Sequence, residues 1–138
     1  MIFYLISSLA ARTATVMCLG VILLPYGLRR NRLSRGLGLS QAPVAPYLRR
    51  LWPHFWLGYL ILALSTLHAG TVMMVSSRAN RAGVLAASAA FFLLLFEVGL
   101  GLSLKESLSS ARKPLRQVHF WTMLAFVAAL GAHLWLNG

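Results

Sequence analysis

Aspartate is absent from this 138-residue chain, and only two residues are acidic against 13 basic ones. A single cysteine, Cys18, rules out an intrachain disulfide, and a CxxCH segment for covalent haem attachment is missing. In place of these groups the chain is 59% hydrophobic, with a mean hydropathy of +0.73. A water-soluble fold cannot hide that much apolar surface, which implies integral membrane helices. A net charge of +11 invites comparison with nucleic-acid binders. The basic residues, however, gather in short segments between apolar runs, where they fit lipid headgroups and topology control, and no nucleic-acid partner is expected.

The apolar runs predict one all-α transmembrane domain over 1–138, a polytopic four-helix bundle with spans at about 3–27, 52–75, 83–104 and 115–136. The first run lacks a basic start, and its arginines follow it, so it does not read as a cleaved signal peptide. Segment 29–50 carries Arg29, Arg30, Arg32, Arg35, Arg49 and Arg50, and segment 105–116 carries Lys105, Arg112, Lys113 and Arg116. Only Arg78 and Arg81 lie between spans two and three. This imbalance predicts cytoplasmic first and third loops and both termini outside, in an energy-transducing membrane of the bacterial cytoplasmic type. Gly36, Gly38, Pro43 and Pro46 argue against a continuous helix through the long first loop.

All four histidines lie in spans two and four. His54 and His68 are 14 residues apart, as are His119 and His133. Fourteen helical residues return to within about 40° of the starting direction after a rise of about 21 Å. Each helix therefore carries two histidines on one face, one toward each side of the bilayer. Spans two and four run in the same direction, which levels His54 with His119 and His68 with His133. A 65-residue shift also superimposes Phe55 on Phe120, Trp56 on Trp121 and Ala63 on Ala128, the mark of a duplicated helical hairpin. Outside these positions the halves share little at that shift.

Histidine is costly in hydrocarbon unless partnered. Two matched pairs fit the axial ligation of two non-covalent haem b groups by neutral imidazoles. The plainer alternative is that each histidine only hydrogen-bonds between helices. A tetrahedral metal site is disfavoured, because no cysteine or carboxylate lies close in sequence to complete one. Arg49, Arg50 and Arg116 on one side, and Arg78, Arg81, Ser76, Ser77, Asn137 and Arg12 on the other, are candidates for haem propionates, with headgroup snorkelling as the competing role. Trp52, Phe55, Trp56, Phe120 and Trp121 either line the inner haem or anchor the interface. Phe126 stands midway between His119 and His133, as a spacer between haems or as ordinary core. Glu97, deep in the third span, is either a proton-accepting group beside the inner haem or a quinone, or a neutral acid hydrogen-bonded in the core.

On His54, His68, His119 and His133 and their order, the chain resembles the four-helix haem core of cytochrome b from quinol-oxidising bc complexes. It is similar, second, to the membrane domains of ferric reductases and NADPH oxidases. The resemblance implies that these four histidines are the axial ligands and that glycines on helices one and three let macrocycles pack closely. Gly20 and Gly27, then Gly83, Gly99 and Gly101, are present here without a 14-residue glycine pair. The later helices and quinol-site loop of full-length cytochrome b, and the flavin domain of the reductases, are not in this sequence. The expectation is a di-haem b-type cytochrome subunit carrying electrons across the bilayer between a redox partner and quinone or another acceptor, among lipids and other redox subunits. A self-contained quinol-oxidising or quinone-reducing enzyme, a non-redox membrane anchor and a proton-relay transporter are the alternatives.

Overall fold

The computed structural model describes residues 2–29, 51–75, 80–107 and 110–137. Four helices fill them: α1 (Ile2–Arg29), α2 (Trp52–Val75), α3 (Arg81–Glu106) and α4 (Arg112–Asn137). Each is long and apolar enough to cross a membrane, and the ends fall within a few residues of the predicted spans. The chain divides into two compact units, Met1–Val72 and Met73–Gly138.

Local chemistry explains the helices. Every backbone polar group in hydrocarbon must be satisfied internally, which a continuous helix achieves. Hydroxyls inside the spans follow the same rule: Thr15, Thr66 and Ser103 donate to the carbonyls of Ala11, Leu62 and Gly99, four residues back, at 2.8–3.0 Å. Pro53 and Pro114 lie in the first turns of α2 and α4, where a missing N–H costs nothing. Many large apolar side chains point outward, with Met73 84% and Trp135 88% exposed. Such a surface requires lipid as its solvent, and the molecule is an integral membrane protein.

In the first unit, hydrogen bonds from α2 to Ser7 tie α2 to α1. In the second unit α3 and α4 pack along one another as an antiparallel hairpin. Asn80 caps α3, its Oδ1 accepting from Ala82 N at 3.1 Å, while its Nδ2 donates to the Leu136 carbonyl at 3.2 Å. At the other end Arg112 Nε donates to the Ser107 carbonyl at 3.1 Å and fastens the turn between the helices. Gly83, buried near the start of α3, faces the last turn of α4. A Cβ there would run into the Asn137 carboxamide, the movable end of a side chain, so a larger residue would have to displace it.

A candidate haem-ligand site built on hairpins

His54, His68, His119 and His133 are each half-buried on α2 and α4. Three of them engage the preceding helix of their own unit through Nδ1. His68 Nδ1 lies 2.8 Å from Ser7 Oγ and 3.1 Å from the Ser7 carbonyl oxygen. His119 Nδ1 lies 2.7 Å from Glu97 Oε2, and His133 Nδ1 lies 3.2 Å from the Gly83 carbonyl oxygen. A carbonyl only accepts, so bonding to the Ser7 and Gly83 carbonyls calls for an Nδ1–H on His68 and His133. The Ser7 hydroxyl can also donate to Nδ1, and the Glu97–His119 contact is a close ion-pair distance. The ring of His54 packs edge-on against Phe55, centroids 6.1 Å apart.

His133 illustrates how the tautomer is chosen. Asn137 Nδ2 donates to the His133 carbonyl at 3.0 Å and also lies 3.1 Å from Nδ1. With the proton on Nε2, Nδ1 accepts from Asn137; with the proton on Nδ1, it donates to Gly83. Asn137, a propionate candidate by sequence, is thus occupied with His133.

The register of the second hairpin matches the histidine spacing. Gly83 and Glu97 are 14 residues apart on α3, and they face His133 and His119, also 14 apart, on α4. One helix supplies two rings at two depths, and its neighbour supplies an acceptor for each. The first hairpin repeats half of the scheme through Ser7 and His68.

These contacts reveal a second repeat. The interval from Ser7 to His68 is 61 residues and that from Gly83 to His133 is 50, so the odd-numbered helices superimpose at a shift of 76. Leu9-Ala10-Ala11 and Ala14 then fall on Leu85-Ala86-Ala87 and Ala90. Buried Ser7, Ala14 and Cys18 fall on Gly83, Ala90 and Leu94, all likewise buried. On the even-numbered helices, Ile61 and Phe126 superimpose at the 65-residue shift and are also buried, at 1% and 8% exposure. The first loop, longer by 11 residues between the matched contacts, conceals this relation from a search at one shift.

The remaining sequence candidates separate by exposure. Trp52, Trp56 and Trp121 are 60%, 58% and 67% exposed, as interfacial anchors are. Arg116 is exposed one turn before His119, and Arg12 and Arg81 are exposed. Arg49, Arg50, Ser76, Ser77 and Arg78 lie outside the described residues. Glu97 is buried, and its partner is His119. Among the described residues no three His, Cys, Asp or Glu side chains gather as a metal-ion site. No protein-family model, no curated protein and no solved structure matches the chain.

Proposed function

We propose that this protein is a di-haem b-type membrane cytochrome subunit that carries electrons across the bilayer between a redox partner and quinone or another acceptor. The observation that carries the reading is the common placement of three rings. Nδ1 of each of His68, His119 and His133 faces an oxygen of the preceding helix at 2.7–3.2 Å, an arrangement that would leave Nε2 to serve as the ligand if Nδ1 carries the proton. Each iron would take one histidine from α2 and one from α4, His54 with His119 and His68 with His133, at the two depths set by the 14-residue spacing. The bound group would supply the one-electron chemistry. The protein's part is to supply neutral imidazoles, fix their orientation and exclude water. Arg50 and Arg116 are proposed to pair with propionates, and partner redox subunits would deliver or remove electrons.

The test is a reduced-minus-oxidised visible spectrum of the purified protein with a haemochrome count. The expected result is low-spin b-type bands and about two haems per chain. Substituting His54 or His119 should remove one haem, and His68 or His133 the other. A protein produced with ample haem that shows no such bands would sink the reading. A proton-relay transporter is the second reading, favoured by the close approach of half-buried His119 to buried Glu97, a combination suited to passing protons inside a membrane. It requires substrate-dependent proton flux in protein that binds no haem.

A further inference from the structure

Arg12 stands near the middle of the first span, which runs from Ile2 to Leu24, and its side chain is exposed. Ser7 fixes its depth, because Ser7 meets His68 and consecutive spans cross the membrane in opposite directions. Arg12 is five residues beyond Ser7, about 8 Å of rise toward the His54 level, and so lies between the two histidine levels. Arginines near helix ends snorkel to the headgroups. This one is ten residues from one end of the span and twelve from the other. It also lies about 140° around the helix from Ser7, turned from α2 rather than toward it.

Ala10, Ala14 and Cys18 are buried on the Ser7 side. On the opposite side Leu5, Leu9, Arg12, Val16, Leu19 and Leu23 follow one another at alternating intervals of four and three residues, and all are exposed. That is the spacing of a helix-packing seam. Apolar exposure alone says nothing inside a membrane, where lipid covers such a face equally well. A guanidinium in the middle of the face is another matter, because hydrocarbon leaves its charge and its N–H donors unmet. The fold does not need the charge. At the shift that places Gly83 on Ser7, Arg12 falls on Ser88, likewise exposed in the second hairpin. Nor does the chain hold a carboxylate at this depth. Glu97 falls on Val21 at the same shift, about 14 Å deeper by helix rise, and it is buried 2.7 Å from His119. Glu106, the last residue of α3, is further still. A second copy of the chain therefore has no carboxylate to offer Arg12. A parallel twofold pairing of the seam would set Arg12 against Arg12, and an antiparallel one would defy the one-sided basic loops.

We propose that this seam is the seat of a transmembrane helix from a different protein subunit, and that this helix carries an aspartate or glutamate at mid-span to pair with Arg12. The planar fork of arginine suits a carboxylate. Inside hydrocarbon such a pair fixes both the depth and the rotation of the incoming helix. The apolar positions on either side give the contact its length, about 27 Å from Leu5 to Leu23, which is most of a hydrocarbon core of about 30 Å.

A photoreactive residue in place of Val16, on the seam one turn from Arg12, tests this by crosslinking in native membranes, with the attached peptide sequenced by mass spectrometry. The expected product is an apolar span of another protein with an Asp or Glu near its middle. Its yield should fall roughly tenfold or more in Arg12→Leu, equivalent to at least about 1.4 kcal/mol. The yield should return when Arg12→Glu is combined with an arginine in place of the partner's carboxylate. Crosslinks to lipid only, to a second copy of this chain, or to a span without an acidic residue would overturn the proposal, as would an equal yield in R12L. In protein purified alone, R12L should be at least as stable as wild type, since it removes a charge from an apolar face. An R12L chain that fails to fold would put Arg12 in this chain's own packing and overturn the proposal as well. The crosslink is read without haem, so its failure leaves the haem reading untouched.

Discussion

Ser7 shows how a residue with no distinctive sequence context can still be measured. Its hydroxyl stands 2.8 Å from His68 Nδ1 while its own carbonyl oxygen stands 3.1 Å from the same atom. In Ser7→Ala the carbonyl remains as acceptor, so the ring keeps a partner. The expected loss is about 0.5–1.5 kcal/mol in a detergent or denaturant unfolding titration and, on the haem reading, haem content is unchanged. Complete loss of a haem in S7A would mean that the hydroxyl alone orients His68. Gly83 has a different part to play. In Gly83→Ala the new methyl displaces the Asn137 carboxamide, the flexible end of a side chain, at a cost of about 1 kcal/mol in lost hydrogen bonding. Gly83→Val adds overpacking of about 1–3 kcal/mol. The order wild type, G83A, G83V in unfolding stability tests whether this approach is as tight as the packing indicates.

Among the helices, α3 is the one with a built start. Asn80 both caps it and reaches the last turn of α4, so Asn80→Ala should cost about 1 kcal/mol for the cap. It should also loosen the end of the hairpin that holds His133, measured as faster amide exchange there. The four spans were readable from hydropathy alone because a membrane helix must be apolar for most of its length. The histidine spacing was equally plain, being a property of a single helix. The acceptors were not, because they depend on which residues two antiparallel helices bring level, and loop length sets that register. Glu97 stood out as an expensive group without its partner being identifiable. Gly83 was noticed only as a glycine, whereas its 14-residue interval to Glu97 was the signal that linked both to the histidines. Ser7 could have been found only by sliding the first hairpin over the second at a different interval from the one the histidines suggest, since the loops differ in length.

For the molecule as a whole, the basic segments dictate sidedness, and impermeant thiol labelling of intact cells measures it. With the buried Cys18 replaced by serine, a cysteine introduced at Ser110, which is exposed, should react only after the cells are opened. One introduced at Gly138 should react before. The reverse pattern would invert the orientation and put the Glu97 level on the outer side. A final consequence comes from Ile61 and Phe126, the buried residues midway between the histidines of α2 and α4. Residues 55–67 and 120–132 contain no ionisable side chain other than Tyr59, so the stretch of each of α2 and α4 between its two histidines is apolar and hostile to hydrated ions. The transmembrane voltage must fall across it. About 21 Å of rise in a core of about 30 Å is roughly two-thirds of the field, or about 1.5 kcal/mol per electron for each 100 mV. On the haem reading, each electron passing between the levels therefore charges or discharges the membrane, and the voltage in turn sets how readily the next one follows.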